Sequence, residues 1–231
     1  MVLDMMTRHE VLIPLDHTHL QGLLTVPRNA RGVVIFVHGS GSSRFSIRNQ
    51  EVARSLNDFG IATLLFDLLT TDEESVDEKD GRYRFNVSLL MHRLINVTHW
   101  VANHPDTRGL PIGFFGASTG AAAAITAASE EPAIVCSIVS RGGRPDLAGI
   151  GALHELRTPT LLIVGGEDHE VLELNRMAAR EMRIEHRISI VDGATHLFEE
   201  PGALQQVSDN AATWFLEHFP AKVRTRQGVK K

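Results

Sequence analysis

The chain has 231 residues, a formal net charge of -5 and 43% hydrophobic residues, which is ordinary for a globular protein with room for one large domain. A sequence pI of about 6.2 argues against nucleic acid as a partner, because nucleic-acid-binding domains carry basic surfaces. No apolar run approaches the length of a membrane span, so we expect no membrane partner.

Cysteine usage and the first residues bear on the compartment. The single cysteine, Cys136, lies in an apolar run and has no partner for an intrachain disulfide, so we expect a buried small hydrophobe. Charged residues and histidine interrupt the first ten positions, and no secretory signal is visible. We expect a cytoplasmic protein, monomeric or weakly dimeric, that needs no metal or cofactor.

Strand and helix signals alternate along the chain, opening with a hairpin. The predicted strands cover 10–16, 20–26, 33–37, 62–67, 110–115 and 134–139, with two more that begin at Thr160 and Arg187. The predicted helices cover 48–59, a segment ending near 103, a segment beginning at Ala121, then 170–183 and 201–218. This alternation predicts an α/β fold with a mostly parallel, eight-stranded sheet flanked by helices. We expect one domain over residues 1–219.

Two charged segments lie outside this alternation. The run from Thr71 to Asp80 is dominated by acidic residues, and we predict a solvated loop there in preference to the rim of a pocket. The tail 220–231 is basic and has no acid, so we expect it to be disordered.

A pentapeptide of the form G-x-S-x-G, Gly116-Ala117-Ser118-Thr119-Gly120, connects a predicted strand to a predicted helix. Strand, tight turn and helix form the context of a nucleophile elbow, in which the serine projects from a strained backbone. The flanking glycines allow strand and helix to approach closely. We therefore predict that Ser118 is a nucleophile.

A serine needs a base that is held by a third group. Asp168 follows one buried strand and His196 follows the next, so both lie where parallel sheets place their ligand crevices. Asp168 would orient His196, and His196 would take the proton of the serine. The alternative residues are weaker candidates. As the acid, Glu167 should point away from the site because it directly precedes Asp168, and Asp192 suits a solvated turn. As the base, His169 directly follows the acid and cannot easily reach back.

The strand over 33–37 leads into a Gly/Ser-rich loop. The backbone N–H groups of Ser40 in this loop and of Thr119 after the serine would together bind an oxyanion. A phosphate-binding loop is the rival interpretation, but the sequence lacks the G-K-[ST] and G-x-G-x-x-G patterns. His38 is expected to be a structural residue of the loop.

Two arginines follow the strand over 134–139. Arg141 and Arg144 are candidate substrate-binding residues, because they lie after the carboxyl end of that strand. Pairing with local carboxylates is the simpler interpretation and the one we favour.

Together these motifs resemble the α/β-hydrolase superfamily, and within it the small branch without a cap that dienelactone hydrolases typify. The motifs are His38-Gly39-Ser40-Gly41, Gly116-Ala117-Ser118-Thr119-Gly120, Gly165-Gly166-Glu167-Asp168 and Gly193-Ala194-Thr195-His196. The chain departs from dienelactone hydrolases, which use a cysteine nucleophile and an arginine just after the histidine. It also looks like the stand-alone form of hydrolase domains that occur fused to phosphoribosyltransferases.

The resemblance implies a serine hydrolase that cleaves small carboxylic esters or lactones, with a small-molecule acyl substrate as its partner. The interval between Ser118 and Asp168 leaves no room for a cap domain, so we expect a shallow, open pocket. Two alternatives remain: a ligand-binding protein on a hydrolase scaffold, or a hydrolase of another acyl bond such as a thioester or amide.

Overall fold

A computed structural model describes residues 6–220 of the chain. The predicted basic tail falls almost wholly outside the described residues. Within 6–220, the helices are too short or too polar to cross a membrane.

Eight strands form a single sheet, as predicted. In chain order they are β1 (Met6–Pro14), β2 (His19–Pro27), β3 (Val33–Val37), β4 (Ala62–Phe66), β5 (Ile112–Ala117), β6 (Val135–Arg141), β7 (Thr160–Gly165) and β8 (His186–Val191). Their order across the sheet is β1-β2-β4-β3-β5-β6-β7-β8. The opening hairpin is antiparallel and β2 pairs antiparallel with β4, whereas all later pairs are parallel. The carboxyl ends of β3 to β8 therefore meet at one edge, which is where the predicted site residues lie.

Seven α-helices cover the two faces of the sheet in the described chain. They are α1 (Ile47–Asp58), α2 (Thr71–Asp80), α3 (Val87–Asn103), α4 (Thr119–Glu130), α5 (Gly149–Glu155), α6 (His169–Glu181) and α7 (Ala203–His218). Helices α1 and α7 pack their apolar residues on one face, and α3 to α6 pack theirs on the other. A short 3-10 helix and α5 are the only elements between β6 and β7. The described chain thus has no separate cap domain, as predicted.

The acidic run was expected to be a loop, and that prediction is wrong: it forms α2. Its beginning is a capping box, in which the Thr70 hydroxyl accepts from the Glu73 N–H and the Glu73 carboxylate accepts from the Thr70 N–H. Acidic residues in the first turn favour the helix through its dipole, and Gly81 ends it in a left-handed conformation. The T-x-x-E spacing of Thr70 and Glu73 indicates a capping box, but the high charge of the run favoured a loop in the prediction.

The sheet and α4 approach each other most closely at Gly120. A methyl group at this position would lie 2.2 Å from the carbonyl oxygen of Val37 and 2.6 Å from that of His38. Both contacts are with backbone atoms, which cannot move aside. Only glycine therefore allows the first turn of α4 to rest against the end of β3.

Replacement of Gly120 tests this close approach. Gly120→Ala should lower the free energy of unfolding by about 3 kcal/mol, because the added methyl overpacks a rigid contact. Gly151→Ala is the matched control, since Gly151 lies in α5 and a methyl there meets no atom within 4 Å. The control should raise stability by about 0.5–1 kcal/mol through helix propensity. If urea denaturation showed equal changes in the free energy of unfolding for the two substitutions, the close packing at Gly120 would not explain its need for glycine.

Candidate active site

Ser118 occupies a strained turn between β5 and α4. Its φ is 51° and its ψ is -124°, a conformation that is uncommon for a residue with a side chain. Three hydrogen bonds hold this geometry: the Ser118 N–H donates to the Arg141 carbonyl at 3.2 Å, and the Ser118 carbonyl accepts from Ala121 and Arg144 at 3.1 and 3.0 Å. The backbone strain agrees with the elbow predicted from the pentapeptide.

Asp168 and His196 are joined by a short hydrogen bond. Asp168 Oδ2 lies 2.7 Å from His196 Nδ1, and the Asp168 side chain is mostly buried, whereas that of His196 is 40% exposed. Because a carboxylate can only accept, this contact assigns the Nδ1 proton to the histidine. In the neutral imidazole, Nε2 is then the nitrogen that can accept a proton.

The rival residues lie elsewhere. The Glu167 carboxylate faces His169, at 3.9 Å, and both side chains are largely exposed. Asp192 is an exposed turn residue after β8. Of the three candidate acids, Glu167, Asp168 and Asp192, it is Asp168 whose carboxylate contacts the His196 ring.

The loop that carries His196 is held firmly against the sheet. Gly165 at the end of β7 permits this, since a methyl there would lie 2.3 Å from the Ala194 carbonyl. Beyond the histidine, Phe198 has a positive φ of 57° and its ring is buried. The Glu200 carboxylate accepts from the N–H and hydroxyl of Thr195, at 3.0 and 2.6 Å.

Ser118 and His196 both lie beside the end of β6. Ser118 binds the Arg141 carbonyl, and the His196 ring lies against the next residue, Gly142, where a methyl group would be 3.5 Å from His196 Cε1. Over residues 6–220 no hydrogen bond joins Ser118 Oγ to the ring. The structure thus places the three predicted residues around one point of the sheet edge.

The loop after β3 lies beside Ser118, with Gly39 packed against the serine Cβ. The Ser40 N–H donates to Thr119 Oγ1 at 2.9 Å. The structure therefore brings Ser40 and Thr119 together, with the Ser40 N–H engaged by the Thr119 hydroxyl. No pattern in the sequence indicates this contact, which depends on how closely α4 approaches β3.

His38 has the structural role that was expected of it. Its Nε2 accepts from the Leu68 N–H at 3.1 Å, so Nδ1 carries the proton and donates to the Gly39 carbonyl at 2.9 Å. Burial lowers the pKa of His38, which keeps the ring neutral in this arrangement. The loop is also tied to the end of β4 through Arg44, whose backbone N–H and guanidinium both bind Asp67.

A cavity of about 300 Å³ opens next to this loop. Its walls are the loop 38–42, the segment 67–69, Leu90 and acidic residues of α2, among them Glu74 and Glu78. The helix that was expected to be a solvated loop therefore forms a wall beside the predicted oxyanion donors.

The two candidate arginines differ sharply. The Arg144 guanidinium forms a fork with the Asp146 carboxylate, with distances of 2.9 and 2.7 Å, which is the local pairing that we favoured. Arg141 is buried, with 9% exposure, and its Nε and Nη1 atoms have no hydrogen-bond partner in the described chain.

One group of potential metal ligands is present in the described residues. It consists of His9, His104 and Asp106, with ligand atoms within 4.8 Å of one another. An ion-pair contact of 3.6 Å joins His9 to Asp106, and the two imidazoles stack. None of these residues belongs to the site at the sheet edge.

A known relative shares much of this sequence. The chain is 53% identical over 210 residues to a protein of Mycobacterium tuberculosis strain H37Rv named "Putative phosphoribosyl transferase", covering 91% of this chain and 46% of the relative. The chain thus spans about half the length of that relative.

Solved structures agree on the fold. The crystal structure of dienelactone hydrolase from Anabaena variabilis has 46% sequence identity and a TM-score of 0.91, with 94% of this chain and 100% of that chain covered. Est1E from Butyrivibrio proteoclasticus has a TM-score of 0.76, with 90% of this chain and 98% of that chain covered. Its sequence identity is 16%, so this similarity shows the fold alone. A family model described as the dienelactone hydrolase family matches residues 20–219. The chain therefore belongs to the dienelactone hydrolase family and has the α/β-hydrolase fold.

Proposed function

We propose that this hydrolase uses Ser118, His196 and Asp168 to cleave small carboxylic esters or lactones through an acyl-enzyme. The observation that carries the proposal is the 2.7 Å contact between Asp168 and His196, made next to a serine held in a strained elbow. Family membership supports hydrolysis, and the side chains present at the sheet edge favour serine chemistry.

The proton moves along a defined path. Asp168 holds the imidazole with its Nδ1 proton inward, so His196 Nε2 takes the proton of Ser118 as the hydroxyl attacks the acyl carbon. The imidazolium then returns this proton to the leaving alcohol. Water repeats the sequence on the acyl-enzyme and releases the acid, with His196 again as the base.

The negative charge of the tetrahedral intermediate would develop beside Ser40 and Thr119. The Thr119 N–H lies in the first turn of α4, where backbone donors have no partner within the helix. The Ser40 N–H donates to Thr119 Oγ1, so this hydroxyl would have to turn aside for the N–H to bind the oxyanion. Two preorganised N–H donors stabilise such a charge strongly.

The open surroundings favour a small acyl group. No cap covers the sheet edge in the described chain, and the neighbouring cavity is modest and partly walled by the charged helix α2. A long lipid chain needs an apolar enclosure, and this site offers apolar contact for only a few carbons. The name of the longer Mycobacterium relative refers to a protein about twice this length, so its activity does not bear on this proposal.

Substitution of Asp168 tests the proposed triad. Asp168→Asn should lower kcat by roughly 10²–10⁴-fold, because the amide no longer fixes the imidazole tautomer. Glu167→Gln is the matched control, since its carboxylate is exposed and faces His169. The control should retain most of the activity on a p-nitrophenyl ester. Loss of activity in the control, with Asp168→Asn active and both variants folded, would show that the assignment is wrong.

Acyl chain length tests the substrate class. Because each methylene removed from water contributes about 0.8 kcal/mol, a fully enclosed chain would raise kcat/KM by about fourfold per carbon. An open site should instead give a maximum at short chains, about two to six carbons, on a series of p-nitrophenyl esters. A continued rise to about ten carbons or more would reveal an apolar tunnel and overturn the small-ester proposal. Matched thioesters and amides in the same assay measure the preference for the ester bond.

A further inference from the structure

His9, His104 and Asp106 come together from two parts of the chain that are distant in sequence. His9 belongs to β1, the strand at one side of the sheet, whereas His104 and Asp106 lie in the connection from α3 to β5. This connection enters β5 at its amino end, and Ser118 follows the carboxyl end of the same strand. The cluster is therefore separate from the proposed catalytic residues.

The spacing of the three side chains suits a single metal ion. Each side chain offers one ligand atom, and these atoms lie within 4.8 Å of one another. His9 Nε2 and Asp106 Oδ2 are 3.6 Å apart, which is longer than a hydrogen bond. Bond lengths of about 2.0–2.2 Å around a tetrahedral zinc ion place neighbouring ligand atoms about 3.3–3.6 Å apart. An ion could therefore bind this pair without a large movement of either side chain.

The turn that carries two of the ligands is well supported. The His104 carbonyl accepts from the N–H groups of Thr107 and Arg108, at 3.1 and 2.8 Å. The buried Thr107 hydroxyl donates to the Val101 carbonyl at 2.6 Å. The Trp100 ring packs on the His104 ring, with the centroids 4.5 Å apart. These contacts position His104 before any ion binds, which lowers the entropy cost of binding.

The His104 ring also has the tautomer that a metal requires. The Asp106 N–H donates to His104 Nδ1 at 3.3 Å, so Nδ1 is the unprotonated nitrogen of the neutral ring. Metals bind imidazole through such a lone pair. The contact with the backbone is long for a hydrogen bond, and an ion at Nδ1 can replace it.

We propose that His9, His104 and Asp106 bind one divalent transition-metal ion, with zinc as the representative. Two imidazole nitrogens and one carboxylate oxygen suit Zn²⁺ better than Mg²⁺ or Ca²⁺, which prefer oxygen ligands alone. The His9 and Asp106 side chains are 39% and 47% exposed, so water can complete the coordination. The ion would link β1 to the connection before β5 and stabilise the fold, and it has no role in the hydrolysis proposed above.

Zinc binding to the full chain, first freed of metal with a chelator, tests the site by titration calorimetry. His9→Gln, His104→Gln and Asp106→Asn should each weaken binding by about tenfold or more, because each removes one ligand. His99→Gln is the matched control, since His99 is a half-exposed histidine of α3 whose Nε2 lies 3.1 Å from Glu131 Oε1. The control should keep the wild-type affinity, and an equal concentration of magnesium should not displace zinc.

Stability provides a second measurement. At about 100 times its dissociation constant, zinc should raise the melting temperature of the metal-free protein by about 5 °C or more, because it binds the folded state. Amide hydrogen exchange in β1 should slow, since β1 is the strand that the ion links to the rest of the fold. Asp106→Asn should abolish both effects, and His99→Gln should retain them.

These measurements use no substrate, so they decide the metal site whether or not the protein hydrolyses esters. Zinc binding with unchanged affinity in His9→Gln, His104→Gln and Asp106→Asn would place the ion elsewhere and overturn the site. A wild-type protein that binds no zinc would overturn it too. Magnesium binding as tight as zinc binding would contradict the proposed role of the two imidazoles.

Discussion

The strained backbone at Ser118 is the constraint on which the site depends. A positive φ at a residue with a side chain is costly, and it persists because the structure fixes the chain on both sides. Upstream, β5 is locked between β3 and β6 in the sheet. Downstream, Gly120 lets the first turn of α4 rest against the end of β3. The strain therefore directs the serine side chain outward at the sheet edge and places the Thr119 N–H beside the loop after β3.

The surroundings of Ser118 are electrically asymmetric. On the side of the β3 loop, a cavity is walled partly by the acidic helix α2. On the side of α1, Arg141 and Arg48 gather positive charge without a buried carboxylate to balance it. If Ser118 acts as the nucleophile, as we propose, charges of opposite sign on its two sides would orient a substrate that carries its own charge.

Much of the fold was predictable because its signals are local. Buried strands are continuous apolar runs, and glycine with small residues marks the turns at their carboxyl ends. The eight-stranded sheet, and the positions of Ser118, Asp168 and His196 after the ends of its strands, could therefore be predicted from the sequence. Helix α2 was missed because ten mostly charged residues suggest a loop, although the spacing of Thr70 and Glu73 indicates a capping box.

Other features depend on contacts between distant segments. The engagement of the Ser40 N–H by Thr119 joins residues 79 positions apart. Sequence patterns carry no information on such contacts, whereas the fork between Arg144 and Asp146 spans two positions and was foreseen as local pairing. The catalytic roles of Ser118, Asp168 and His196 remain predictions that need chemistry to test them.

Covalent labelling of the nucleophile tests the central claim most directly. The protein is incubated with a fluorophosphonate, and its intact mass and modified peptide are determined. The account predicts a single adduct on Ser118 that is absent from the Ser118→Ala protein, because only an activated serine attacks the phosphorus at a useful rate. No adduct on the folded protein, or an adduct on another residue, would contradict the account.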